Sequence, residues 1–223
     1  MITERIKMKA IILQHCFNAT TSEHLCNISY KFFEELSPSS GFGRIENSIF
    51  YHDPGDTTKK IKRHINRQTW YKNPDGEYCM GVTRFSIPTC LQGFGLGPVI
   101  WSEIYKNLPE VLRDKLLLFG SLTSVDAYTP LMDSERKPVP EFINGRETIK
   151  VINQIERRNR FWSGMLKPTE KNSPVLRCDA AGNGGFSGFL KDPLKSSGSA
   201  KVILEDISPD ACFSMHSKLN RAG

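Results

Sequence analysis

The sequence lacks the apolar segments that membrane insertion and export require. Its longest apolar runs, at residues 10–13 and 116–119, fall far short of the roughly 18 residues that span a bilayer. Polar Gln14 and His15 interrupt the first run, whereas a secretory signal needs an apolar segment of about 7 to 15 residues. The sequence therefore predicts a cytoplasmic protein with no membrane span.

The cysteines also lack the spacing of a metal site. No CxxC or CxxH pair occurs among the 6 cysteines, which are Cys16, Cys26, Cys79, Cys90, Cys178 and Cys212. Structural zinc sites usually take their ligands from such closely spaced pairs. We therefore predict no metal site, and we expect reduced thiols that are mostly buried as small apolar groups.

The composition is that of a folded domain. The chain has 223 residues, of which 39% are hydrophobic and 10% aromatic, whereas disorder requires low hydrophobicity and high net charge. A single core grows comfortably to about 250 residues. We predict one domain over residues 1–223, with its core at about 6–205 and a flexible C-terminal tail.

The charge is moderately basic, with 30 Lys plus Arg against 24 Asp plus Glu and a net charge of +6. An excess of this sign suits nucleic acid, anionic lipid, a phosphorylated cofactor or an acidic carrier protein, but it is equally typical of a basic enzyme without electrostatic steering. The positive residues concentrate at positions 59–67. That segment is either a docking face or the solvated face of a helix.

Hydrophobic periodicity predicts both strands and helices. Residues 22–36 have apolar side chains at three- and four-residue steps, which favours a helix, and Asn73-Pro74-Asp75-Gly76 predicts a hairpin turn. We expect strands at 6–13, 45–51, 78–87, 116–125, 175–178 and 200–204, helices at 22–36, 97–113 and 146–161, and loops at 129–140 and 182–188. The predicted fold class is α/β or α+β, with a mixed central sheet flanked by helices.

A glycine-rich turn lies between the predicted strand 78–87 and the helix that follows it. It reads Gln92-x-x-Gly95-x-Gly97 and includes Gly93. Glycines let backbone N–H groups approach a ligand, and a helix N-terminus adds partial positive charge, so a pyrophosphate fits there. The turn resembles motif A of the GNAT acetyltransferase superfamily. That resemblance implies a three-layer α-β-α fold, with Gln92, Gly93, Gly95 and Gly97 binding coenzyme A or a phosphopantetheine arm.

The same region resembles the acyl-homoserine-lactone synthases, the autoinducer synthases of quorum sensing, which are GNAT-like. Residues 81–89 are similar to their G-C-x-R-L-L-P-T strand, and residues 97–101 with 108–112 are similar to G-P-x-M-L and F-P-x-L-L. Residues 119–126 match E-L-S-R-F-A-V-D only at Ser121, Val125 and Asp126, because Phe119 and Leu122 replace the charged positions. The segment 156–164 is similar to the helix after the sheet. This resemblance implies S-adenosylmethionine and acyl-carrier-protein thioesters as substrates.

The candidate site residues come from this region. Arg84 is predicted to bind a carboxylate or phosphate, with a strand-end salt bridge as the alternative. Glu103 and Asp126 are candidate catalytic bases, although an exposed carboxylate and a turn former are the alternatives. Phe85, Trp101, Ser121 and Trp162 are predicted to bind substrate, although tryptophans in such positions are more often core residues.

The sequence thus predicts an acyltransferase that moves an acyl group from a coenzyme A or carrier-protein thioester to an amine, with no permanently bound cofactor. The alternatives are a basic nucleic-acid-binding or regulatory protein, for which no recognition motif is present, and a ligand-binding protein that has lost the chemistry. GNAT-like enzymes hold the thioester arm in a V-shaped opening between two strands. The acyltransferase prediction therefore requires strands 78–87 and 116–125 to splay apart.

Overall fold

A computed structural model describes residues 3–14, 22–36, 41–54, 56–58, 60–82, 85–123, 127–135, 137–169, 175–192 and 202–206, with side-chain environments for the central part of the chain. The predicted C-terminal tail lies outside these ranges beyond residue 206. The described strands are β1 Thr3–Gln14, β2 Ser22–Leu36, β3 Gly41–His52, β4 Ile61–Lys72, β5 Tyr78–Gly81, β6 Leu116–Leu122, β7 Tyr128–Pro130, β8 Pro140–Ile143, β9 Arg146–Ile149, β10 Val151–Asn153, β11 Leu166–Lys167, β12 Leu176–Cys178, β13 Gly184–Leu190 and β14 Val202–Asp206. Within the same ranges, the α-helices are α1 Leu96–Asn107 and α2 Ile155–Met165.

A 10-stranded sheet dominates the fold, in the order β11-β13-β6-β5-β4-β3-β2-β1-β14, with β12 also paired to β13. Neighbouring strands are antiparallel except for β5 and β6, which run parallel from Tyr78 opposite Leu116 to Gly81 opposite Phe119. Helix α1 connects these two strands, as a parallel pair requires. The chain is therefore mixed α+β and strand-rich, whereas the three-layer arrangement with helices on both faces is not confirmed.

The core lies between the sheet and α1. Strand β4 alternates, so that His64, Asn66, Gln68 and Trp70 turn inward while the residues between them are exposed, as the period of two dictates. Leu116 and Leu118 of β6 and Ile100 and Ile104 of α1 are completely buried in the same hydrophobic cluster. The sheet thus supplies a flat apolar face that holds α1, and with it the glycine turn, in place.

Several predicted elements are correct. Strands β1, β3, β6, β12 and β14 match the expected ones, and the turn at Asn73 joins β4 to β5, with Asn73 Oδ1 accepting the N–H of Glu77 at 2.8 Å. The helix predicted at 97–113 is α1, followed after Pro109 by a 3-10 turn at Glu110–Leu112. Proline removes a helical hydrogen bond, which explains the division.

The helix prediction for residues 22–36 is wrong, since this segment is strand β2. Its apolar residues fit both periods: Leu25, Ile28 and Phe32 recur at helical steps, but Cys26, Ile28, Tyr30 and Phe32 recur at every second residue and are buried. Pairing with β1 on one side and β3 on the other decides the conformation. For the same reason residues 61–67 of the basic segment belong to β4 rather than to a helix.

Four further boundaries differ from prediction. The strand expected at 78–87 ends at Gly81, and the helix expected at 146–161 begins only at Ile155 because β9 and β10 occupy its first half. The loop expected at 182–188 is largely β13, in which Phe186, Gly188 and Leu190 are buried at alternate positions. The loop expected at 129–140 begins within β7, which pairs with β10.

Candidate functional site

The glycine turn lies between the end of β5 and the start of α1. Gly93 and Gly95 have φ angles of +94° and +77°, a left-handed conformation that glycine adopts without steric cost. The side-chain amide of Gln92 donates to the Ile87 carbonyl at 3.1 Å and so ties the turn to the preceding segment. The N-cap residue of α1 is Gly95, which has no side chain to form a cap, and no acidic residue lies in the first turn of the helix. The N–H groups of that turn that have no partner within the helix therefore point toward the space above the glycine turn.

A cavity of about 660 Å³, here called the turn cavity, opens above this turn. Gln92, Gly93, Gly95 and Gly97 line one side, and residues 157–165 of α2 contribute to the other. Its volume lies within the usual range for small-molecule sites. A Cβ added at Gly93 or Gly95 would meet no protein atom within 4 Å, so the space directly over the turn is open to a ligand.

The turn cavity carries positive charge. Arg157, Arg158 and Arg160 line it, and no acidic side chain among the described residues does. Arg158 donates to the carbonyls of Thr123 and Gly182 at 2.6 Å each. Arg160 is exposed and forms no hydrogen bond or ion pair with the described part of the chain. Three guanidinium groups and an uncapped helix N-terminus together favour an anionic ligand.

Aromatic side chains pack beside the turn cavity in one cluster. Phe85 stacks on Phe161 at 6.0 Å between ring centroids and lies 5.4 Å from Trp101. Trp162 packs 4.9 Å from Phe161 and stacks on Phe186 at 4.0 Å. These contacts join α2 to α1 and to β13, and they give the cavity an apolar wall next to its charged one.

A second cavity, of about 510 Å³ and here called the strand cavity, lies beyond the last paired residues of β5 and β6. Beyond their paired residues, the Val82 N–H donates to the Phe119 carbonyl at 2.8 Å. Farther along, Phe85, Ser86 and Ile87 line the strand cavity together with Ser121 and Leu122 of β6. The segment 85–87 also lines the turn cavity, so it forms a wall between the two.

Ser86 is held rigidly in this wall. Asn66 Nδ2 donates to the Ser86 carbonyl at 3.0 Å, and the Ser86 N–H donates to Asn66 Oδ1 at 2.9 Å. The Ser86 Oγ lies 3.0 Å from His64 Nε2, and both side chains line the strand cavity. Nearby, burial raises the pKa of Tyr51, with the negative charges of Cys90 and Asp53 adding to the effect, so the Tyr51 hydroxyl keeps its proton at neutral pH.

The structure brings most of the predicted site residues together. Gln92, Gly93, Gly95, Gly97, Phe85 and Trp162 line the turn cavity, and Ser121 lines the strand cavity. Trp101 lies behind them in the aromatic cluster, completely buried, and its Nε1 has no hydrogen-bond partner among the described residues. Arg84 and Asp126 lie outside the described residues. Their predicted roles stay predictions.

Glu103 lies away from both cavities. It is buried on α1, and its carboxylate accepts a hydrogen bond from Lys106 at 3.1 Å. Its negative charge also contributes, after burial, to raising the pKa of Tyr30 on β2. Glu103 therefore belongs to the contact between α1 and the inner strands of the sheet, and its role as a base stays a prediction.

Sequence reasoning did not single out Ser86, His64, Arg157 or Arg160. The arginines stand within the segment 156–164, where three of them at spacings of one to three residues on a helix were a detectable signal of an anion site. The Ser86–His64 pair gave no local signal, because its members are 22 residues apart and meet only through the sheet.

Three basic residues of β4 form ion pairs. Arg67 and Arg63 pair with Glu46 at 2.8 and 3.2 Å, and Lys62 pairs with Asp53 at 2.8 Å. Burial raises the pKa of Glu46, but the hydrogen bond from Arg67 and the charges of the surrounding basic residues together outweigh burial and hold that pKa below its ordinary value. These three basic residues thus have acidic partners, whereas no acidic side chain among the described residues lines the turn cavity.

Comparisons of this chain with protein-family models, curated proteins and solved structures return no match. In the described ranges, neither helix has the length and apolar character needed to cross a membrane.

Proposed function

We propose that this protein is a GNAT-like N-acyltransferase that moves an acyl group from a coenzyme A or carrier-protein thioester to an amine. One observation carries the proposal: the N-terminus of α1, reached through a glycine turn, opens into a positively charged cavity directly beside a second cavity, which lies beyond the paired residues of the parallel strands β5 and β6. The resemblance of the turn to motif A implies this use of the same elements.

The chemistry needs a site for the pyrophosphate of the donor. Backbone N–H groups at the turn and the partial positive charge of α1 suit a pyrophosphate. Arg157 and Arg160 add positive charge at the opposite wall. A carrier protein that bears a phosphopantetheine arm would present one phosphate to the same turn and an acidic surface to these arginines.

The chemistry also needs a place where the thioester meets the amine. The strand cavity adjoins the turn cavity through Phe85, Ser86 and Ile87, which line both. An arm anchored at the turn reaches the strand cavity past this segment, and an amine enters from the side of Ser121. The aromatic wall formed by Phe85, Phe161 and Trp162 suits the acyl chain.

The identity of the acceptor is part of the proposal. The resemblance to the autoinducer synthases implies S-adenosylmethionine, which would give an acyl-homoserine lactone and methylthioadenosine. Phe119 is exposed and Leu122 is buried where that family carries charged residues, so an acceptor without an amino-acid group is the natural second choice. Both classes belong in the assay.

The test is release of free thiol from acetyl- and hexanoyl-coenzyme A, and from the same acyl groups on an acyl-carrier protein. The acceptors are S-adenosylmethionine, a polyamine and a lysine peptide, and mass spectrometry identifies the product. We expect thiol release that depends on one acceptor, with an amide of matching mass. Binding of an oligonucleotide without thioester binding or transfer would contradict the proposal and favour a basic nucleic-acid-binding protein, whose affinity should fall steeply with salt.

A further inference from the structure

The Ser86–His64 pair has the geometry of a proton-transfer unit. The 3.0 Å separation of Ser86 Oγ and His64 Nε2 is a hydrogen-bond distance, within the range required between a base and the group that it deprotonates. With Nε2 unprotonated, the serine hydroxyl donates to the imidazole. Histidine is also the side chain whose ordinary pKa lies nearest neutrality.

The pair is fixed by the fold rather than by chance contact. His64 and Asn66 are two residues apart on β4 and so lie on the same face of the sheet. Asn66, which is only 2% exposed, holds the Ser86 backbone by both its N–H and its carbonyl. Two hydrogen bonds to the backbone and one to the side chain leave Ser86 little freedom, as preorganised sites require.

The position of the pair is equally specific. Ser86 lines both cavities, whereas His64 lines only the strand cavity. Ser86 therefore lies between the proposed donor site and the proposed acceptor site. A serine–histidine hydrogen bond that only stabilised the fold could lie anywhere in it, whereas this one lies at the junction of two cavities.

We propose that His64 is the base of the acyl transfer and that the Ser86 hydroxyl relays the proton to it. This inference rests on the proposed acyltransferase function. The amine lone pair attacks the thioester carbonyl carbon, and the C–N bond forms. The nitrogen gives its proton to Ser86 Oγ while the Ser86 proton moves to His64 Nε2. Collapse of the tetrahedral intermediate breaks the C–S bond, and the thiolate takes a proton from the imidazolium, leaving an amide, a free thiol and neutral histidine.

The test compares His64→Ala, His64→Gln and Ser86→Ala with His52→Ala as the matched control, since His52 lies on β3 and lines neither cavity. Both His64 variants should lower kcat by about 100-fold or more, the usual contribution of a general base. The KM for the thioester should be unchanged, because the glycine turn is intact. Added imidazole should restore activity to His64→Ala but not to Ser86→Ala. His64→Gln nearly preserves the side-chain volume, so it gives the answer if His64→Ala fails to fold.

Two results would overturn the relay. The first is wild-type transfer with an unchanged kcat in His64→Gln, which leaves the acyltransferase function standing. The second is an acyl mass adduct on the wild-type protein incubated with thioester alone, absent from Ser86→Ala, which would make Ser86 a nucleophile instead. A wild-type protein that releases no thiol with any acceptor would overturn the proposed function, and this inference with it.

Discussion

The glycine turn permits a sharp test, because the chain contains a second glycine in nearly the same conformation far from either cavity. Gly95 has φ of +77° and Gly145 has φ of +74°, and a Cβ at either position would meet nothing within 4 Å. Alanine at either site is therefore expected to lower the free energy of unfolding only because its backbone must be left-handed, by about 1–2 kcal/mol. Because 1 kcal/mol lowers the melting temperature of a domain of this size by roughly 2–4 °C, Gly95→Ala and Gly145→Ala should melt about 2–8 °C below wild type.

The two variants should differ in ligand binding. The added methyl group of Gly95→Ala occupies the space over the turn, where the proposal places the pyrophosphate, whereas Gly145 lies in the turn between β8 and β9. We expect Gly95→Ala to weaken coenzyme A binding by about tenfold, which corresponds to roughly 1.4 kcal/mol, and Gly145→Ala to leave it unchanged. Titration calorimetry measures the affinities, and melting without ligand measures the stabilities. Equal affinities in two equally destabilised variants would refute the placement of the anion at the turn.

Three further outcomes follow from contacts described above. Arg160→Gln should weaken coenzyme A binding by about threefold at low salt and less at high salt, since exposed ion pairs contribute roughly 0.2–1 kcal/mol; the exposed Arg146→Gln on β9 should not. Gly97→Ala places a Cβ 2.7 Å from Phe161 Cε2 and should destabilise the protein by about 1–3 kcal/mol in urea unfolding, with partial recovery when Phe161→Leu is added. Glu46→Gln should reduce stability most at neutral pH. The lowered pKa of Glu46 means that its carboxylate stabilises the fold above its ordinary value of 4.5 and loses this effect as the pH falls through the lower folded value, so the difference between the two proteins should shrink in acid.

The sequence could predict those parts of the fold that depend on residues adjacent in the chain. The Asn73 turn and the Gln92–Gly97 turn with its helix depend on neighbouring residues, and both are present. The helix prediction for 146–161 was wrong in its first half, although a local signal for a hairpin turn comes just before it. Asn144 and Gly145 both have positive φ, as the two central residues of a type I′ hairpin turn require. The Asn144-Gly145 pair therefore indicated a hairpin turn. The apolar residues that follow it also fit helical spacing, and for that reason the helix was predicted to begin too early.

The rest depended on contacts between distant segments. Strand β2 has a helix-compatible pattern, and only its partners β1 and β3 decide against a helix. The candidate site divides in the same way: the anion-binding half consists of two contiguous segments, the turn at 92–97 and the arginines at 157–160, whereas the pair formed by Ser86 and His64 depends on the register of β4 against the segment that follows β5. No local pattern carries that register.

Arg158 contributes a positive charge that is held in one position at the candidate site. Its guanidinium is satisfied by the carbonyls of Thr123 and Gly182 and by the Asn159 side chain, all of them neutral, and the described part of the chain brings no carboxylate to it. A guanidinium that is anchored in this way stays in place rather than swinging out to pair with passing anions. Its positive charge therefore has a fixed position at the junction of the two cavities before any ligand arrives.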